Sequence, residues 1–291
     1  MRKEIEQAVA LLAAKDRQSL ERALELLQGT VFSFSMKVCG QREDAEDTMQ
    51  EVLVKSVPVL PRFDSPRALL VWIYKVAKSR CLMSRRRSKF APKQDLSLDE
   101  LMPDRRELEL LAKEGPLNPE SLAIRGQQAR KLREAIQKLP AQYRIILVLR
   151  DMEGLSDEEV GEITGLKPGN VRVRLHRARL FVRKELAHQL SANRNTKSAL
   201  PVGGSTSPQE KRPKSCKAMF AELSNYLDEQ LDDSACEQLE QHLNGCEPCK
   251  AFLSTLESTI EQLRSTPDDA PRQAVAARVR RDVLAKFPIT W

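Results

Sequence analysis

Aromatic residues are scarce in this 291-residue chain: two Trp, three Tyr and eight Phe make up 4% of it. Glycine is scarce too, with 11 residues. Little glycine beside much Leu, Ala, Arg and Glu argues for helices rather than turn-rich sheets. No apolar run approaches the roughly 18 residues needed to span a bilayer, so no membrane segment is expected. The opening "MRKEIEQAVALLAAKDRQ" reads as an amphipathic helix rather than a cleaved leader, and a cytoplasmic protein is expected. Six cysteines are too few for a disulfide scaffold. Four of them crowd into residues 216–249, which points to a local site. There is no nucleophile elbow and no phosphate-binding glycine loop, so the chain is not expected to be an enzyme.

Acid is missing from two stretches. Residues 75–89, "KVAKSRCLMSRRRSK", carry seven positive charges and no negative one. Residues 167–184, "KPGNVRVRLHRARLFVRK", do the same. Residues 216–264 are the reverse, with ten acids against three bases, a net of −7. Two dense basic patches beside apolar helical patterns suggest a polyanionic partner.

The expected fold class is all-α. Ala45, Met49, Val52 and Leu53 fall on one helix face. Ser65 and Pro66 suit the start of another helix, with Leu69, Trp72, Ile73, Val76 and Ala77 on its apolar side. The expected organisation is a helical domain over 1–90 and an acidic linker over 91–124, with a short helix near Arg105–Lys113. A helical domain over 125–190 and a flexible linker over 191–214 follow. An acidic cysteine-bearing module spans 215–264. A tail over 265–291 carries a basic amphipathic helix, with Val275, Val279, Val283 and Phe287 on one face.

"SDEEVGEITGLKPGNVRVRLHRARLFVRKE", residues 156–185, reads as a helix-turn-helix. Ser156 with Glu159 fits a capping box. Gly165 suits a left-handed helix end, and Gly161 is small where two helices would cross. Pro168 opens a second helix with Val171, Leu175, Ala178 and Val182 on its inner face. Asn170, Arg172, Arg174 and Arg177 lie opposite, as base-reading side chains do in a major groove. Later arginines such as Arg179 suit phosphate contacts, which position without specifying.

The stretch "LREAIQKLPAQYRIILVLRDMEGLSDEEVGEITGLKPGNVRVRLHRARLFVRKEL" resembles the fourth conserved region of extracytoplasmic-function RNA polymerase sigma factors. "GQREDAEDTMQEVLVK" and "RFDSPRALLVWIYKVAKSRCL" resemble their second region, in the family's order. The resemblance covers about residues 20–90 and 125–190, two small helical domains. It implies that Asp44, Asp47, Gln50 and Glu51 meet core RNA polymerase. It also implies that Trp72, Lys75, Lys78 and Arg80 engage promoter DNA during strand opening, a task that suits stacking and positive charge. Ser79 and Met83 depart from the family, which usually has Asn and often Asp there.

"HLNGCEPCK", residues 242–250, holds His242, Cys246 and Cys249 in an H-x3-C-x2-C pattern, three-quarters of a metal site. The surrounding stretch resembles the zinc-binding domain of anti-sigma factors. That resemblance implies one zinc ion held by Cys216, His242, Cys246 and Cys249; three sulfurs and an imidazole suit tetrahedral zinc. Thiolates also suit copper(I). Cys236 is left as an alternative ligand or a reactive thiol. The chain thus resembles a sigma factor joined to an anti-sigma-like module. The expected function is promoter-specific initiation with core RNA polymerase, regulated in cis through contact between the C-terminal module and the sigma domains. The alternative is a free-standing helix-turn-helix regulator, which would have no need of the segment around residues 40–55. A zinc staple that only folds a small domain is equally compatible with the module.

Overall fold

The computed structural model describes residues 3–85, 95–103, 107, 125–194 and 214–287, with backbone alone at 84–85, 125–128, 190–194 and 214–218. Every regular element among these residues is helical, as expected. Besides a 3-10 turn at Leu60–Arg62 and a π-helical turn at Val148–Met152, they are α1 (Lys3–Leu12), α2 (Arg17–Cys39), α3 (Arg42–Ser56), α4 (Pro66–Arg85), α5 (Leu98–Leu101), α6 (Arg125–Lys138) and α7 (Ala141–Leu147). Then come α8 (Asp157–Thr164), α9 (Pro168–Arg194), α10 (Lys214–Leu227), α11 (Asp233–Gly245), α12 (Glu247–Arg264) and α13 (Gln273–Lys286). Two compact units result: Met1–Gln94 with Pro140–Val171 and Thr266–Trp291, and Asp95–Leu139 with Arg172–Ser265. The helix expected near Arg105–Lys113 lies outside the described residues except at Glu107, which is helical.

In the first unit α2 is the axle. The Asp16 side chain caps it by accepting from Ser19 N at 2.8 Å, and Gly40 ends it at φ 81°. Every residue from Thr30 to Cys39 is buried, so this end of the helix is surrounded on all sides. Val52, Leu53 and Met49 of α3 and Leu69, Ile73 and Ala77 of α4 supply part of that core. Pro140–Val171 adds another side. Arg144 of α7 is 2% exposed and donates from Nη1 to Val38 O at 2.8 Å, satisfying a carbonyl at the end of α2.

Lys37 lies inside this unit and is therefore paired, since an unpaired buried ammonium is costly. Its Nζ lies 2.9 Å from Glu153 Oε1 and 2.7 Å from Asp268 Oδ1. Tyr74 OH donates to Glu153 Oε2, and Ser33 Oγ to Asp268 Oδ1 at 2.6 Å. The tail is thus bound to α2 by a carboxylate just before α13. Val279 and Val283 of α13 are buried. Arg272 reaches Glu46 of α3 at 3.6 Å, and Arg280 reaches Glu25 of α2 at 3.4 Å.

The helix-turn-helix forms by the local rules read in the sequence. Ser156 and Glu159 make both bonds of the capping box. Gly165 ends α8 at φ 78°. A Cβ on Gly161 would lie 2.7 Å from Leu166 O, a backbone atom that cannot swing away. Pro168 is the first residue of α9.

The second unit is built around Phe220 of α10 and Phe252 of α12, whose rings meet edge to face with centroids 4.8 Å apart. Leu180 of α9 and Leu239 and Leu243 of α11 share this core. So do Leu101 and Met102, from the stretch expected as an acidic linker.

Gly161→Ala is expected to destabilise the helix-turn-helix by about 1–3 kcal/mol, because the new methyl overpacks against fixed backbone. Thermal unfolding of the full chain, with Gly169→Ala as a control where nothing crowds the Cβ, measures it.

Candidate nucleic-acid interface and metal-ligand cluster

The polar face of α4 carries the residues expected at promoter DNA. Trp72 is half-buried, its ring 5.9 Å from that of Phe63. Lys75 Nζ lies 3.1 Å from Glu162 Oε1 of α8. Lys78 donates to Ile163 O near the C-terminus of α8, where a cation also meets the negative end of the helix dipole. Burial, then the charge of Lys75, holds the Lys78 ammonium below its usual pKa. Arg80 lies 2.8 Å from Glu51 Oε2 of α3. Three of the expected DNA-facing cations therefore have intrachain acceptors, and Glu51, expected at the polymerase, is one of them. On α3, Asp47 is exposed, while Asp44 and Gln50 are half-buried.

Along α9, Asn170 is exposed and Arg172, Arg174 and Arg177 are half-buried. Val173, between two of these arginines, is 51% exposed, one of two large apolar side chains so placed among the described residues. Helical period alone does not flag one outward apolar residue, so Val173 has no signal in the sequence.

Further along α9, three polar side chains at i, i+3 and i+7 spacing turn inward. His176 Nδ1 lies 2.7 Å from Ser224 Oγ of α10. Burial, helped by the charges of Arg179 and Arg177, pushes this imidazole down to about 4. Arg179 is wholly buried, and its fork grips Asp228 through Nη1–Oδ2 at 2.7 Å and Nη2–Oδ1 at 3.0 Å. Arg264 adds a second guanidinium to Asp228 at 3.2 Å. Arg183 lies with its Cζ 3.9 Å from the centroid of the Phe252 ring, and its Nη2 donates to Glu107 Oε1 at 2.8 Å. Cation–π contact and the ion pair offset the burial that lowers its pKa. The basic face of α9 is thus divided. Its N-terminal arginines reach solvent, and its middle is bonded to the acidic module.

His242 lies near the end of α11, Cys246 joins α11 to α12, and Cys249 is in the first turn of α12. Their donor atoms all lie within 4.8 Å of one another, with His242 Nε2 3.3 Å from Cys249 Sγ. Two sulfurs and an imidazole at this spacing fit a tetrahedral thiophilic ion and leave one position for a further ligand. The side chain of Cys216, on α10, lies outside the described residues. Cys236 is half-buried on α11. Desolvation and the nearby Glu240, Asp233 and Asp232 raise its thiol pKa, which disfavours the thiolate a metal needs.

Replacing Cys246 with Ser is expected to lower the metal content of protein purified without added metal, as read by elemental analysis; unchanged content would remove Cys246 from the ligand set. A pH effect is expected from His176. Its folded value lies below the ordinary value of about 6.5, so the unfolded chain takes up the proton first. Its contribution to stability is complete above about 6.5 and declines as pH falls towards 4. Chemical unfolding across that window should show the decline, and His176→Gln should flatten it.

Three family descriptions match in order. Residues 24–90 match "Sigma-70 region 2", residues 129–182 match "Sigma-70, region 4", and residues 216–250 match "Putative zinc-finger". The chain is 30% identical over 188 residues to the ECF RNA polymerase sigma factor SigD of Mycobacterium bovis, covering 62% of this chain and 84% of that protein. It is 28% identical over 174 residues to the ECF sigma factor SigW of Bacillus subtilis, covering 59% and 90%. With the RNA polymerase sigma-H factor of Pseudomonas aeruginosa the identity is 25% over 189 residues, covering 62% and 93%. Among the described residues no helix is long and apolar enough to cross a membrane. With both conserved regions matched in order and most of a 30% identical relative covered, the chain belongs to the extracytoplasmic-function RNA polymerase sigma factors.

Proposed function

We propose that this sigma factor binds core RNA polymerase and promoter DNA, and that its C-terminal module holds it inactive in cis until released. The polymerase surface is the face of α3 with Asp44, Asp47, Gln50 and Glu51. The upstream element is read by Asn170, Arg172 and Arg174, with Val173 placed for a thymine methyl. Arg177 and Arg179 meet phosphate, and Trp72, Lys75, Lys78 and Arg80 hold opened bases. The chain itself performs no chemical step and acts in the cytoplasm with the polymerase. One zinc ion, held by Cys216, His242, Cys246 and Cys249, folds the module; a four-ligand site is closed to catalysis.

The observation that carries the reading is the bidentate pair of Arg179 with Asp228. A carboxylate there takes the fork that a DNA phosphate would take, because both anions match the guanidinium geometry. Inhibition is favoured over activation because DNA and the intrachain acids compete for the same donors.

Run-off transcription with purified core polymerase tests this, comparing the intact chain with residues 1–195 and with Asp228→Asn. Both variants are expected to give more transcript, by about five- to 150-fold, the span of ordinary coupling free energies. Equal or lower transcription from both would overturn inhibition in cis.

A further inference from the structure

The tether between the two DNA-reading regions has an unexpected anchorage. Residues 91–128 separate the two sigma-region matches. Within them "DLSLDELM", residues 95–102, carries apolar side chains at Leu96, Leu98, Leu101 and Met102. Leu101 and Met102 are 4% and 3% exposed, in the same buried cluster as Phe220, Leu223, Phe252 and Leu256 of the zinc module. Leu96 and Leu98 pack against that cluster. Lys184 of α9 donates to Glu100 O at 2.6 Å, and Arg183 pairs with Glu107. The helix formed here, α5, has four residues. One turn does not persist in water by its own hydrogen bonds, so tertiary burial orders it.

We propose that the apolar groove of the zinc module is a clasp whose ligand is residues 96–102 of this chain, and that opening it precedes promoter engagement. The inference rests on the reading of inhibition in cis and names its mechanical part. Held at residues 96–102, the tether keeps only part of its length free, so the clasp limits how far the two DNA-reading regions can separate. It also joins three functions in one core: leucines of the tether, aromatic rings of the module, and Leu180 of the recognition helix. Removing the strap exposes apolar surface on both sides, which makes the closed state favourable and cooperative. The acidic residues between the leucines, Asp99 and Glu100, keep the freed strap in solution.

Hydrogen exchange on the full chain reads the clasp without polymerase. The amides of Leu101 and Met102 are bonded to Ser97 O and Leu98 O, and are expected to exchange roughly tenfold or more slower than an unstructured peptide of this sequence. Leu101→Ser with Met102→Ser should speed exchange in α10 and α12 and leave α2 unchanged. The same variant should raise run-off transcription. Unprotected amides at 101 and 102 in the intact chain, or unchanged exchange in α10 and α12 of the variant, would overturn the clasp. If residues 1–195 and Asp228→Asn transcribe more while the strap variant matches the intact chain, inhibition in cis stands and the clasp falls.

Discussion

A guanidinium taken wholly out of water needs an anion beside it, and in this chain that anion is Asp228. The Arg179–Asp228 pair couples α9 to the acidic module. Such a pair contributes little net stability over an apolar contact of equal volume, but breaking one side is costly. Its value is selectivity: an anion of matching fork geometry satisfies Arg179. Carboxylate and phosphate both have that geometry, which makes a two-state exchange between module and DNA physically natural. His176 against Ser224 and Arg183 over Phe252 fix the register of the same face.

The first unit follows the same logic with different residues. Lys37 is nearly inaccessible and bonded to carboxylates from two other parts of the chain, Glu153 and Asp268. Arg144 closes the end of α2 from α7. Buried polar contacts of this kind demand one geometry, because a half-made network is worse than none. Stretches far apart in sequence thereby acquire a single packing, with the tail helix α13 laid on α2 and α3.

Features set by a few neighbouring residues were legible in the sequence. Ser156 with Glu159, Gly165 and Pro168 each obey a rule that spans at most one helical turn, and Gly161 one that reaches five residues on; each appears where expected. The apolar stripe of Val171, Leu175, Ala178 and Val182 is buried throughout. The inward turn of Arg179 was not legible. The stripe counts apolar residues, and His176, Arg179 and Arg183 lie one position beside it. Their burial depends on a partner 49 residues away for Arg179 and 48 for His176, which no local pattern encodes. Leu101 and Met102 escaped notice for a related reason: four apolar residues among acids show no sustained period. The metal cluster was legible at three of its positions because His242, Cys246 and Cys249 are held by one helix–turn–helix stretch of eight residues.

The proposed inhibition in cis requires the module to let go of α9 before the promoter is engaged. Hydrogen exchange of the intact chain, free and then in a transcribing complex with core polymerase and promoter DNA, measures this directly. With such a release, α10 and α12 lose protection on entering the complex while α9 keeps its own. Unchanged protection of α10 and α12 in a complex that transcribes would contradict it.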